Sequence, residues 1–215
     1  MKKIIIMNIL FGGLLLTSCG GEEVAEESAQ PAQKIQNCLY SFNPVQTEVA
    51  WTAYKFLRKA GVDGSFTKLD VDGTLTSNNP REIISSLSFS IPISSIETND
   101  PSRNEKIRNF FFGSLSSTDM LTGKVVSLGD DGKAVLAITM NEITNDVEGE
   151  YSLEDDTFKY STSIDVNNWN ASVGLAALNK ECEGLHTDIE NGDTESKLWP
   201  DVQINFQTKL TKKCD

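Results

Sequence analysis

Leu87-Ser88-Phe89-Ser90-Ile91-Pro92-Ile93-Ser94 carries an apolar side chain at every second position. Successive side chains of a strand point to opposite faces, so this period specifies a β-strand with one buried and one polar face. Val202, Ile204 and Phe206 alternate with Gln203, Asn205 and Gln207 in the same way. Working outward, further strands are expected over 48–57, 62–68, 71–77, 121–128, 134–142, 146–153 and 157–165. Turn chemistry separates them: Gly129-Asp130-Asp131-Gly132 supplies residues that tolerate positive φ, and Glu154-Asp155-Asp156 a second tight connection. The chain therefore reads as all-β, an antiparallel meander of about eight strands, a number that favours closure into a barrel or a sandwich.

Two helices are expected to interrupt the meander. Asp100 suits an N-cap, Pro101 the first helical position and Gly113 the end, with Ile107, Phe110 and Phe111 at i, i+3 and i+4. Three consecutive phenylalanines, Phe110 to Phe112, cannot all face one way from a helix, so at least one turns toward another part of the core or a ligand space. The second helix is expected from Ser172 to about Glu183, with Leu175, Leu178 and Cys182 on one side.

The N-terminal region is of a different kind. Lys2 and Lys3 precede an apolar run from Ile4 to Leu16, which stops at Leu16-Thr17-Ser18-Cys19. A membrane-spanning helix needs about 20 apolar residues, so the run reads as a signal peptide. Its last four residues resemble a bacterial lipobox, with small residues at Thr17 and Ser18 and a thiol at Cys19 to take the lipid. Residues 1–18 are thus expected to be a leader, 19–45 an acylated cysteine with a flexible acidic tether, and 46–215 the folded domain. That organisation implies an outer-membrane-anchored lipoprotein of the cell envelope, periplasmic or surface-exposed. The acidic residues after Cys19 resemble surface-export signals and also read as a plain solvated linker.

The formal charge of −12, with no large Lys/Arg cluster, argues against nucleic acid as a partner. Besides Cys19 there are Cys38, Cys182 and Cys214. An odd number in an oxidising compartment suggests one disulfide and one free thiol. In a closed antiparallel barrel the first and last strands are neighbours, which would bring Cys38 and Cys214 together at one rim and leave Cys182 on its helix.

Val49-Ala50-Trp51-Thr52-Ala53-Tyr54-Lys55-Phe56 followed by Gly61-Val62-Asp63-Gly64-Ser65-Phe66 resembles the opening hairpin of the YceI-like family, lipocalin-like polyisoprenoid-binding proteins. Ser95-Ile96-Glu97-Thr98 with Arg103, Ile107, Phe110 and Phe111 is similar to that family's central strand and short helix, and Trp199-Pro200-Asp201-Val202-Gln203-Ile204 to the closing strand of its lipoprotein branch. The family's strand-pair pattern is blurred in Ala134 to Val147, and its usual basic residue is replaced within Ile164 to Trp169. The resemblance implies an antiparallel barrel whose elongated apolar interior holds a long isoprenoid-like or amphiphilic lipid, without catalytic residues. Trp51, Phe66, Phe89, Ile91, Ile107, Phe110, Phe111, Phe158 and Phe206 are then the candidate ligand-binding residues. An ordinary packed core would use the same aromatics, and in that case the barrel is a surface interaction protein that binds a protein or glycan through its loops.

Other chemistry carries less weight. Cys182 and His186 are only two ligands at helical spacing, whereas zinc sites use three or four, so they read as a structural thiol and a surface imidazole. Asp70-Val71-Asp72-Gly73 has the start of a calcium loop but Arg81 at its twelfth position, and reads as a polar hairpin turn. The carboxylates Glu154-Asp155-Asp156 lack apolar neighbours to separate their pKa values. With one histidine and no Gly-x-Ser-x-Gly elbow, nothing supports a nucleophile triad beyond an enzyme centred on His186. No cofactor and no metal site is expected.

Overall fold

The computed structural model describes residues 37–117 and 119–215. The leader, Cys19 and the tether up to residue 36 lie outside the described residues. In chain order the first half contains β1 (Cys38–Ser41), β2 (Thr47–Lys55), β3 (Ala60–Phe66), β4 (Asp70–Asp72), β5 (Thr76–Ser77), α1 (Pro80–Ser86), β6 (Ser88–Pro92), β7 (Ile96–Glu97) and α2 (Pro101–Lys106). The second half contains β8 (Met120–Leu128), β9 (Lys133–Met140), β10 (Ile143–Glu154), β11 (Thr157–Asp165), α3 (Ser172–Glu181), β12 (Leu198–Lys209) and β13 (Thr211–Cys214).

The long strands β8 to β12 pair in sequence as an antiparallel meander, and β12 pairs with β2, which pairs with β3. Two bent strands complete the ring. β3 pairs with β7 (Phe66 opposite Ile96) while β4, a few residues later, pairs with β6 (Val71 opposite Phe89). The Thr67 N–H donates to the Ser95 carbonyl at 2.9 Å in the gap between them. Counting β3–β4 and β6–β7 once each, the ten pieces of the main sheet form eight strands, and the two ends of the strand order are the same pair. The sheet is therefore a lipocalin-like antiparallel barrel, the closed arrangement that removes exposed edges.

There are three short helices, not two, among the described residues: α1 begins at an Asn79 cap, whose side chain accepts from the Arg81 N–H at 3.0 Å, with Pro80 at the first position. The strand expected over 71–77 is two pieces, because Gly73 turns the chain at φ 140° between β4 and β5. Asp70 and Asp72 accordingly stand on an edge piece paired with β6 rather than in a hairpin turn. The folded chain also reaches further back than residue 46. β1 pairs on one side with β13 and on the other with β5, and Cys38, opposite Cys214, forms a disulfide with it.

The barrel interior holds two clusters. One is filled by Phe42, Ile83, Ile84, Leu87, Phe158 and Leu210 with their neighbours, and α1 contributes Ile83 and Ile84 to it with no exposed surface. The other gathers Trp51, Phe111, Phe112, Met140, Trp169 and Leu178 beneath α2 and α3. Strands run from one cluster to the other: β11 gives Phe158 and Tyr160 to the first and Ile164 to the second, and β12 gives Phe206 to the first and Val202 and Ile204 to the second.

Candidate functional site

The second cluster is hollow. A cavity of about 140 Å³ is walled by Trp51 and Ala53 of β2, Phe66 of β3 and Ile96 of β7. Ile107, Phe111 and Phe112 close it on one side, and Leu175 and Leu178 of α3 on another. Leu198, Trp199, Val202 and Ile204 of β12 complete the wall with residues of β8, β9 and β11. No ionisable side chain borders it among the described residues. In the filled half a gap among Ile84, Leu87, Leu136, Phe158 and Phe206 is only about 20 Å³. One water needs about 10–15 Å³, so that gap has no room for a chain, whereas the cavity is several times larger. The usable space thus occupies one half of the barrel and not its whole length, which corrects the expectation of an elongated interior.

The segment after α2 sets the shape of the wall. Residues Ile107–Phe111 form a π-helical turn, and the Phe112 N–H reaches back to the carbonyls of Ile107 and Arg108. In an α-helix Ile107 would share a face with Phe110 and Phe111; the wider π turn brings Phe111 and Phe112 to that face instead. Their rings meet edge to face with centroids 4.9 Å apart. Phe110 packs at the margin of the cluster and does not line the cavity. α2 is anchored from below by a buried polar relay: the Thr98 hydroxyl donates to Asn104 Oδ1 (2.7 Å), and Asn104 Nδ2 to Glu97 Oε1 (3.1 Å). The Asn104 bond holds the Glu97 carboxyl below its usual range. α3 reaches the same turn closely because Gly174 has no side chain: a Cβ there would lie 2.4 Å from the Phe111 carbonyl oxygen.

Of the nine candidate residues, Trp51, Phe66, Ile107 and Phe111 are brought together at the cavity. Phe158 and Phe206 fill the opposite half, their rings 6.0 Å apart, with Phe89 packed against the same cluster. Ile91 is buried outside both clusters. Phe112, Leu178, Trp199 and Ile204 line the cavity and were not among the nine. The signal for Leu178 was its place on the apolar side of the second helix, and Trp199 stood in the closing-strand motif.

Beside the cavity, and sharing Trp51, Ala53, Ile107, Leu178 and Leu198 with it, lies a polar vestibule bordered by Lys55, Asp100, Arg103, Lys106, Cys182 and His186. His186, expected at the surface, is buried. Its Nδ1 donates to Asn179 Oδ1 at 3.0 Å. Burial first, then the charges of Lys55 and Lys106, push its pKa down to about 4, so the ring is neutral at pH 7. Burial pushes the Cys182 thiol up, which keeps it protonated and unreactive. Trp51 is 7% exposed, and its indole N–H has no acceptor among the described residues. An unmade buried hydrogen bond costs about 1–3 kcal/mol.

The YceI-like domain profile matches residues 40–210, most of the chain. The chain belongs to the YceI-like family. Among solved structures of this fold, a polyisoprenoid binding domain from Saccharophagus degradans shares 12% identity at TM-score 0.55, covering 82% of this chain and 98% of that one. Burkholderia cenocepacia BcnA shares 14% identity at TM-score 0.50, covering 80% of this chain and 99% of that one. No curated protein matches the chain. The YceI-like fold accounts for the closed barrel, and the apolar cavity under α2 and α3 is where this member has room for a hydrophobic ligand.

Proposed function

We propose that this protein binds, stores or carries a hydrophobic isoprenoid-like or amphiphilic lipid without transforming it, while tethered to a membrane of the cell envelope through Cys19. The observation that carries the binding reading is the wholly apolar cavity among Trp51, Phe111, Phe112 and Leu178. Removing an apolar chain from water there gains about 25 cal/mol per Å² buried, and a wall without ionisable groups offers no acid, base or nucleophile to act on it. The description of the Saccharophagus degradans domain as polyisoprenoid binding supports the ligand class. A long chain would place one stretch in the cavity and leave through the vestibule. The surface-interaction reading expects a filled barrel, and the hollow half is the observation that favours the lipid reading over it.

The tether rests on Leu16-Thr17-Ser18-Cys19 and the acidic, nonaromatic residues that follow. It would let the barrel face the membrane from which its ligand comes, in an outer-membrane, periplasmic or surface setting. Binding is tested by titrating the protein with a chain-like apolar alcohol while following the fluorescence of Trp51 and Trp199, both on the cavity wall. A saturable change is expected; a flat response contradicts the reading. For the tether, Cys19→Ala should abolish fatty-acid labelling and detergent partition, and unchanged labelling would contradict it.

A further inference from the structure

Trp51, Ala53, Ile107, Leu178 and Leu198 line both spaces, and on either side of them the chemistry changes abruptly. The cavity on one side is apolar; the vestibule on the other, about 180 Å³, is bordered by three cations, Lys55 at the end of β2 and Arg103 and Lys106 on α2. Among the described residues the only carboxylate on its border is Asp100. That group is already engaged, accepting from the Arg103 N–H at 3.1 Å as the helix cap and lying 3.6 Å from the Arg103 guanidinium. Neither Lys55 nor Lys106 has an ion-pair partner among the described residues. Among the described residues Lys55 donates to the Leu185 carbonyl, at 2.9 Å, and its ammonium lies 4.4 Å from the centre of the Phe56 ring. His186, neutral and bonded to Asn179, adds no positive charge of its own and no negative charge to offset the others.

This placement is unusual for a chain of formal charge −12. Like charges gathered beside an apolar wall repel one another, and partial burial already disfavours the Lys55 ammonium, with Arg103 adding to the effect. An anion between them would remove that repulsion, and lysine ammonium groups and the arginine fork both bind carboxylate and phosphate oxygens. The unpartnered Trp51 indole N–H, on the wall shared by the two spaces, is a further donor without an acceptor.

We propose that Lys55, Arg103 and Lys106 form a head-group site for an anionic amphiphile, its carboxylate or phosphate held in the vestibule while its single apolar chain enters the neighbouring cavity. This rests on the lipid-binding reading above and narrows it: neutral alcohols and amides fit the cavity but find no counter-charge for their heads.

The test compares two matched pairs on the purified full chain, farnesyl phosphate against farnesol and hexadecanoate against hexadecanamide, by calorimetric titration at low and high salt. The anionic member of at least one pair is expected to bind on the order of tenfold more tightly at low salt, with the ratio shrinking as salt rises. The pair with the larger ratio distinguishes phosphate from carboxylate. In Lys55→Met/Lys106→Met the ratio should fall to about one. Because Lys55 holds the Leu185 carbonyl, Lys106→Met alone, which breaks no hydrogen bond, provides a second variant with an intermediate ratio, and thermal unfolding checks that each is folded. Equal affinities within both pairs in the unmodified protein would overturn the head-group site while leaving lipid binding intact. Failure of all four compounds to bind would overturn the lipid reading and this inference with it.

Discussion

Trp51 and Gly64 stand opposite each other across the β2–β3 pair, and a Cβ on Gly64 would lie 2.1 Å from Cζ2 of the indole. The ring that forms part of the cavity wall thus rests directly on glycine backbone. Gly64→Ala must push Trp51 toward the cavity or separate the strands. Overpacking of this kind costs about 1–3 kcal/mol. The expected outcome is a lower unfolding midpoint and weaker binding of a chain-like ligand together, read by thermal unfolding and by titration.

The two halves of the interior should respond differently to substitution. Phe158 is 2% exposed in the filled half, so Phe158→Ala should destabilise by about 3–5 kcal/mol and leave the co-purifying lipid per folded molecule unchanged. Phe111 borders the cavity, and Phe111→Asp places an unpaired charge in apolar space, weakening lipid retention by several kcal/mol. Thermal unfolding and lipid quantification on both variants check the contrast.

Stability should fall on acidification through the range set by His186. Its folded pKa, about 4, lies below the ordinary value of 6.5, so between these values the unfolded chain binds more protons. Full stability from this group is present above pH 6.5 and is lost as pH falls toward 4, by about 3 kcal/mol in total. His186→Gln should flatten that part of the pH–stability profile, measured by chemical denaturation.

The disulfide ties the two ends of the described fold across 176 residues. Closing a loop of that size lowers the entropy of the unfolded chain enough to contribute about 5 kcal/mol. Cys38→Ser with Cys214→Ser should lower the denaturation midpoint accordingly, while Cys182→Ser should leave the midpoint's sensitivity to reductant as it is in the unmodified protein. Non-reducing peptide mapping that joins Cys182 to either partner would contradict the pairing.

Much of the barrel was legible because a half-buried strand writes its parity into the sequence: Leu87 to Ser94 and Val202 to Gln207 alternate visibly, and β11 spans 157–165 as the pattern specifies. β1 and β13 were not legible, since Thr211-Lys212-Lys213-Cys214 has no apolar alternation and is held by pairing and the disulfide. α1 is seven residues, too short for a helical period, and its Asn79-Pro80 start signal is shared with turns. At the cavity, parity tells inside from outside but not which half of the barrel a residue reaches. That depends on how far along a tilted strand it lies, which is why Phe158 and Phe206 were grouped with Trp51. Phe112 was missed because helical spacing assumes an α turn, and the chain makes a π turn there.

Whether the hollow half of the barrel holds a lipid is read out by mass spectrometry of organic extracts from protein purified gently from its own host. A chain-like hydrophobic or amphiphilic molecule is expected at close to one per protein, depleted in Phe111→Asp. Extracts of folded protein that contain no such molecule, or a full load retained by folded Phe111→Asp, would contradict it.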